Sequence, residues 1–402
     1  MIVNFSLLNE LFRGFHIQRW NDRIRPMDLI EMDKHAHKMM IAYCLGKYEE
    51  SRGHTINWHQ LIKNGIYELI RRIIISDIKS PIYAEVRKNK AVFKELNNYI
   101  YKQLEPKIED ETIKQEIAEF LFTEADSNDL SNRVLEAAHI YSTYWEFQII
   151  KQSNPFNYQN IRLETDLLNR IDKYKDLLGI HKLTNRHTIA NFVDLCGQLR
   201  FQLRWAQVPR VPSTAVLGHT LLVAIVSYFF ARENNACDKR LYNSFFGGLF
   251  HDLPEAVTRD IISPIKRSSS EFDKLIKDLE MELAENEIFP LVEPEWIDEI
   301  KYFILDEFDN RVVIDGVINS SEITIEDLNT KYNENKFNPI DGEAIRAADH
   351  LTAFLEAWSS CSVGIKTEEL VTAAQKIKES YQDRKIGNVN IKALYSNFRN
   401  VF

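Results

Sequence analysis

Four positions in this sequence pair a side chain able to bind a metal or move a proton with surroundings that should be apolar. His251 and Asp252 stand side by side in Phe246-Gly-Gly-Leu-Phe-His-Asp-Leu-Pro-Glu-Ala256. At helical spacing Asp252 follows Leu249 by three residues and Phe245 by seven, which turns it toward the core. A buried carboxylate without a partner costs several kcal/mol, and a cation is its usual partner. A helix cap or a core ion pair would satisfy it as well. His219 shares its side of an amphipathic pattern with Leu222, Val223, Val226 and Phe230. Asp349 lies among small and apolar residues in Ile345-Arg-Ala-Ala-Asp-His-Leu351. Two imidazoles and two carboxylates with open positions suit one divalent ion (Mn, Co, Ni, Fe, Zn or Mg) better than a structural zinc centre, which wants thiolates. An ion so held polarises a phosphoryl oxygen, and hydrolysis is the chemistry this implies.

The elements that must position these residues are helices. Few Gly and Pro, with much Leu, Ile, Lys and Glu, predict an all-α chain. A length of 402 residues predicts two domains, because single cores rarely grow past ~250–300 residues. Periodicity predicts helices over 129–151, 162–178, 188–205 and 218–232, with another beginning at Gly342. Val208-Pro-Arg-Val-Pro-Ser213 must be extended, since each Pro disfavours helix at the residue before it. Between Phe308 and Asp341 the β-branched run Arg311-Val-Val-Ile-Asp-Gly-Val-Ile318, with its Asp-Gly turn, predicts a small hairpin or ordered loop inserted among helices.

A net charge of -9 argues against an extended nucleic-acid-binding face. The four cysteines, Cys44, Cys196, Cys237 and Cys361, form no CxxC pair, which is neither a disulfide framework nor a zinc knuckle. Glu10 and Arg13 interrupt the apolar residues of Phe5 to Phe15, so no secretory segment is read there. A soluble cytoplasmic protein with no membrane partner is the expectation.

In order along the chain stand Arg204-Trp205, His219, His251-Asp252, Glu255, Asp260, Pro264-Ile265-Lys266 and Ala348-Asp349-His350-Leu351. This order resembles the HD-domain metal-dependent phosphohydrolases, all-helical enzymes, and within them most of all the bacterial 5'-deoxyribonucleotidases. The resemblance covers roughly residues 203–357 and implies that His219, His251, Asp252 and Asp349 hold the metal. It implies that Glu255 orients or deprotonates the attacking water, that Arg204 pairs with the substrate phosphate and that Trp205 packs on the sugar. Asp260 and Lys266 would help to position water and to add positive charge, or would be a helix cap and a solvated lysine. The substrate expected is a small nucleotide, most of all a nucleoside 5'-monophosphate. Two alternatives stay open: hydrolysis of nucleoside tri- or pyrophosphates, and a regulatory protein that binds nucleotide or metal without turnover.

The first half echoes the second. Arg19-Trp20 stands 185 residues before Arg204-Trp205, His35 184 before His219, Gly65 183 before Gly248, and Ala137-Ala138-His139 210 before Ala347-Ala348-Asp349. Asp77-Ile-Lys-Ser-Pro-Ile82 repeats Asp260-Ile-Ile-Ser-Pro-Ile265. Near-constant offsets predict a duplicated domain. At the positions of His251, Asp252 and Glu255 the first copy has Glu68, Leu69 and Arg72, so it should hold no divalent cation. The expected organisation is tandem HD-like helical bundles: a degenerate copy at 1–150, a helical connector at 151–185 and the hydrolase domain at 186–402. The inactive copy would stand in for a dimer partner within one chain.

Overall fold

The helix Val216–Glu233 is apolar on nearly every side, and a helix of that composition has no face to give to water. It is the most deeply buried element of the second unit, and Asn234 and Asn235 end it, the latter with φ 52. Among the described residues it is the one helix long and apolar enough to cross a membrane, and most of it is buried inside the fold. The computed structural model describes residues 1–402 apart from 77, 79, 125, 260–268 and 321. The chain divides into two compact units, Met1–Tyr174 and Lys175–Phe402. The division falls inside the stretch expected to be a connector: Asn160–Asp172 packs on Leu130–Ser153 of the first unit, while Leu178–Thr184 packs on Thr188–Gln198 of the second.

Around Val216–Glu233 the second unit packs Asp238–Phe250 and Gly342–Ser362. Gly248 allows the first of these crossings to be close, because a Cβ there would stand 2.9 Å from the Cα of Ala224. That approach brings the rings of His219 and His251 to 5.8 Å. Phe246, Phe250 and Phe303 fill the far side, the last two stacked at 6.1 Å.

The expected insertion is present. Val312–Ile314 pairs antiparallel with Val317–Asn319, and Asp315 and Gly316 turn the chain at φ 50 and 80. The Asn-rich part is more ordered than the sequence suggests, because Thr324 and Asp327 form a capping box on a short helix, Ile325–Thr330. Leu328 and Tyr332 of this segment pack on Val312. Arg240, fully buried on Asp238–Phe250, fastens the insertion: it donates two hydrogen bonds to Asp341, of 2.7 and 2.8 Å, and one of 3.0 Å to the Leu328 carbonyl.

The first unit is also helical, built on Glu31–Ser51, Trp58–Ile75 and Leu130–Ser153, with a two-strand ladder of Gln18–Arg19 and Leu29–Ile30. Its pairing Gln18↔Ile30 has a counterpart in the second unit's bridge Leu203↔Ala215, displaced by the same 185 residues as the Arg-Trp pairs. The local geometry of the two units therefore supports the duplication read from the offsets.

Removing one partner of a buried ion pair leaves the other charge stranded, at about 3–5 kcal/mol. Asp341→Ala should therefore lower the unfolding free energy of the chain by about that amount in urea titrations. A loss below about 1 kcal/mol would show that Arg240 finds another partner.

Candidate metal centre

The candidate ligands converge from three helices. His219 lies in the first turn of Val216–Glu233, His251 caps the C-terminus of Asp238–Phe250, and Asp349 is in the third turn of Gly342–Ser362. His219 Nε2 is 2.9 Å from Asp349 Oδ1 and 4.0 Å from Asp252 Oδ2, and His251 Nε2 is 3.3 Å from Asp252 Oδ2. His219, His251 and Asp252 each offer one ligand atom, all within 4.8 Å of one another. One expectation needs correcting: the helix ends at Phe250, so Asp252 sits in the turn after it. Asp252 is thus about 20% exposed rather than driven into the core, and the turn aims it at the gap between the histidines.

These residues fit a divalent cation. His251 Nδ1 donates to the Gly248 carbonyl at 2.8 Å, which leaves Nε2 facing Asp252; burial opposes charge on the ring, but Asp252 outweighs it and raises the pKa to about 9, so a cation at Nε2 would take the place of a proton. Nε2 is buried and has no hydrogen-bond partner, the state of a nitrogen placed for a metal. Burial opposes charge on Asp252, yet His251, His219 and Arg204 outweigh it and hold the carboxyl well below the usual carboxylate range. Burial opposes charge on Asp349 too, and His219 and Arg204 again win.

A residue that the sequence reading passed over organises the site. Glu356, wholly buried two turns after Asp349, accepts hydrogen bonds from Trp205 Nε1 at 2.8 Å, Arg204 Nε at 3.3 Å and Thr214 Oγ1 at 2.8 Å. Its other side stands 3.5 Å from His219 Nδ1, where a carboxylate orients an imidazole for a metal on Nε2. Trp205 is held at φ 57, a left-handed conformation that costs a non-glycine residue about 1–3 kcal/mol and tends to mark functional sites. With its Nε tied to Glu356, Arg204 brings NH1 to 3.8 Å from Asp252 Oδ2, so the guanidinium borders the ligand cluster. Glu255 opens the short helix Glu255–Thr258, and its side chain is buried. Asp260 and Lys266 lie outside the described residues.

In the first unit Glu146, 210 residues before Glu356, holds Arg19 Nε and Trp20 Nε1, each at 2.9 Å, and Trp20 has φ 55. The clamp is repeated, but the ligands are not. His35 Nε2 is spent on the Gly65 carbonyl at 2.8 Å, Lys38 pairs with Glu68 at 2.6 Å, and Leu69 is buried. Burial and the neighbouring lysines push both His35 and His139 down to about 3, so both rings are neutral.

Residues 196–378 match the HD domain family profile, and residues 6–178 match the YfbR-like 5'-deoxynucleotidase profile. The second unit is thus the part of the chain that resembles an HD domain. The chain is similar to a 5'-deoxynucleotidase from Vibrio atlanticus, at 23% identity over 199 residues, which is 49% of this chain and 87% of that protein. A crystal structure of an HD-domain phosphohydrolase from Listeria innocua is 15% identical with a TM-score of 0.41, covering 53% of this chain and 91% of that one. The HD dipeptide of the domain is His251-Asp252.

Asp252→Ala should therefore abolish binding of one equivalent of divalent metal, read by elemental analysis after dialysis, while replacing both His35 and His139 with Ala should leave it in place. Full occupancy in Asp252→Ala would remove Asp252 from the ligand set.

Proposed function

We propose that the HD domain of this chain is a metal-dependent phosphohydrolase acting on a nucleoside 5'-monophosphate. The observation that carries this is the convergence of His219, His251 and Asp252 within 4.8 Å, bordered by the Arg204 guanidinium. The names of the relatives support the reaction class. A divalent ion held by His219, His251, Asp252 and Asp349 would supply Lewis-acid polarisation of the phosphoryl group. The chain's own residues do the rest. Arg204, fixed through Nε by Glu356, turns its guanidinium to phosphate oxygens. Trp205, anchored through its indole N–H, presents a ring to the sugar. Glu255 is the carboxylate assigned to orient or deprotonate the attacking water. Asp260 and Lys266 keep their proposed supporting roles.

A cavity of about 290 Å³ opens between the insertion and the Asp349 helix, lined by Phe308, Ile323, Arg346, Tyr381 and Arg384 among others. Phe308 also lies 6.2 Å from the His251 ring, so the cavity adjoins the metal ligands. The two arginines favour a second reading, in which further phosphates of a tri- or pyrophosphate extend there.

Phosphate release from deoxy- and ribonucleoside mono- and triphosphates, with Mn, Co, Ni, Fe, Zn or Mg added, tests both readings. Faster turnover of monophosphates is expected, and faster turnover of triphosphates would favour the second. Arg204→Ala should lower kcat/KM by about 1.5–3 kcal/mol, the worth of a charge-assisted hydrogen bond, with metal content unchanged. Trp205→Ala should alter the ratio of deoxy to ribo turnover, and an unchanged ratio would take the sugar contact away from Trp205.

A further inference from the structure

The first unit keeps the clamp and replaces the metal ligands with amines. Lys34 and Lys38 lie on Glu31–Ser51 beside His35, and both side chains are wholly buried. Four cationic side chains gather here. Arg19 is paired with Glu31 at 2.7 Å and with Glu146 at 2.9 Å, Arg72 with Glu31 at 3.4 Å, and Lys38 with Glu68 at 2.6 Å. The three carboxylates are thereby used, and Lys34 is left over. Among the described residues its ammonium has one hydrogen-bond partner, the neutral ring of His139 at 2.7 Å. His139 is 36% exposed, so the cluster reaches solvent through it.

A buried ammonium whose one hydrogen-bond partner is a neutral imidazole nitrogen, itself 3.2 Å from Glu68 Oε1, calls for an anion. Burial and the Arg19 charge push Lys34 down to about 7, outweighing the pull of Glu31 and Glu68, which are already paired with other cations. Next to it stand an arginine and a tryptophan in the backbone and anchoring geometry of Arg204 and Trp205.

We propose that the first unit is a non-hydrolysing binding site for a phosphate monoester, in which the Lys34 ammonium supplies the positive charge that a divalent ion supplies in the HD domain. Arg19 and Trp20 receive the phosphate and sugar, an assignment that rests on the reading of Arg204 and Trp205 above. With His35 committed to a carbonyl and Glu68 to Lys38, no cation is bound there and the ester is held intact. The ligand class is a phosphoryl dianion, either the nucleotide substrate or the phosphate released from it.

The test is equilibrium dialysis of the full-length Arg204→Ala chain in chelator against deoxyadenosine 5'-monophosphate. One equivalent should bind, and adding Lys34→Met should weaken it at least about tenfold, as loss of a charge-assisted contact does. Lys34→Arg, which keeps the charge, should retain binding and controls for folding. Inorganic phosphate should displace the nucleotide, and unphosphorylated deoxyadenosine should not. No binding in the Arg204→Ala chain, unchanged affinity in Lys34→Met, or equal displacement by deoxyadenosine would overturn the proposal. Metal-dependent turnover of the wild-type chain is scored separately: its absence would fail the hydrolase reading and leave the dialysis result to stand by itself.

Discussion

The site depends on one buried carboxylate. Glu356 fixes Arg204, Trp205 and Thr214 and stands behind His219. An ionised carboxylate in that interior is tolerable only because these groups surround it. Burial works against its charge, and Arg204, His219 and Arg210 hold its carboxyl well below the usual range. The same arrangement explains how a tryptophan is kept in a left-handed conformation, since the indole hydrogen bond to Glu356 helps to offset the backbone cost.

The repeated clamp makes this visible as a separable device. Glu146 holds Arg19 and Trp20 as Glu356 holds Arg204 and Trp205, while beyond the clamp Glu68, Leu69 and His139 stand at the positions of His251, Asp252 and Asp349. In one unit two imidazoles and two carboxylates gather, and His251 Nε2 is buried without a hydrogen-bond partner. In the other, amines occupy the region and a lysine is left over. On the proposals above each arrangement takes one partner, a cation in the HD domain and an anion in the first unit.

Much of this was legible in the sequence because it was written in order and spacing. His219, His251, Asp252 and Asp349 were readable from apolar surroundings, and the hairpin from its Asp-Gly turn between β-branched residues. Glu356 was passed over because a single Glu in a long helical run, Leu351-Thr-Ala-Phe-Leu-Glu-Ala357, looks like a solvated face. The 210-residue offset that ties Ala347 to Ala137 also ties Glu356 to Glu146, and it was the signal that would have found it. Lys34 and Lys38 were missed for the same reason, since lysine is almost never fully buried unless paired. The helix was carried two residues too far at Asp252 because apolar periodicity runs through Phe250 without a breaker until Pro254, and helix ends are set by local hydrogen bonds that periodicity does not encode.

The central claim is that one unit of this chain takes a divalent cation and the other has replaced it with an ammonium. Anomalous diffraction at the manganese edge from crystals of the intact chain grown with Mn tests it most directly. The account predicts a single strong peak per chain, between His219, His251, Asp252 and Asp349, with none beside Lys34, Glu68 and His139. A peak in the first unit, or none among the HD-domain ligands, would contradict it.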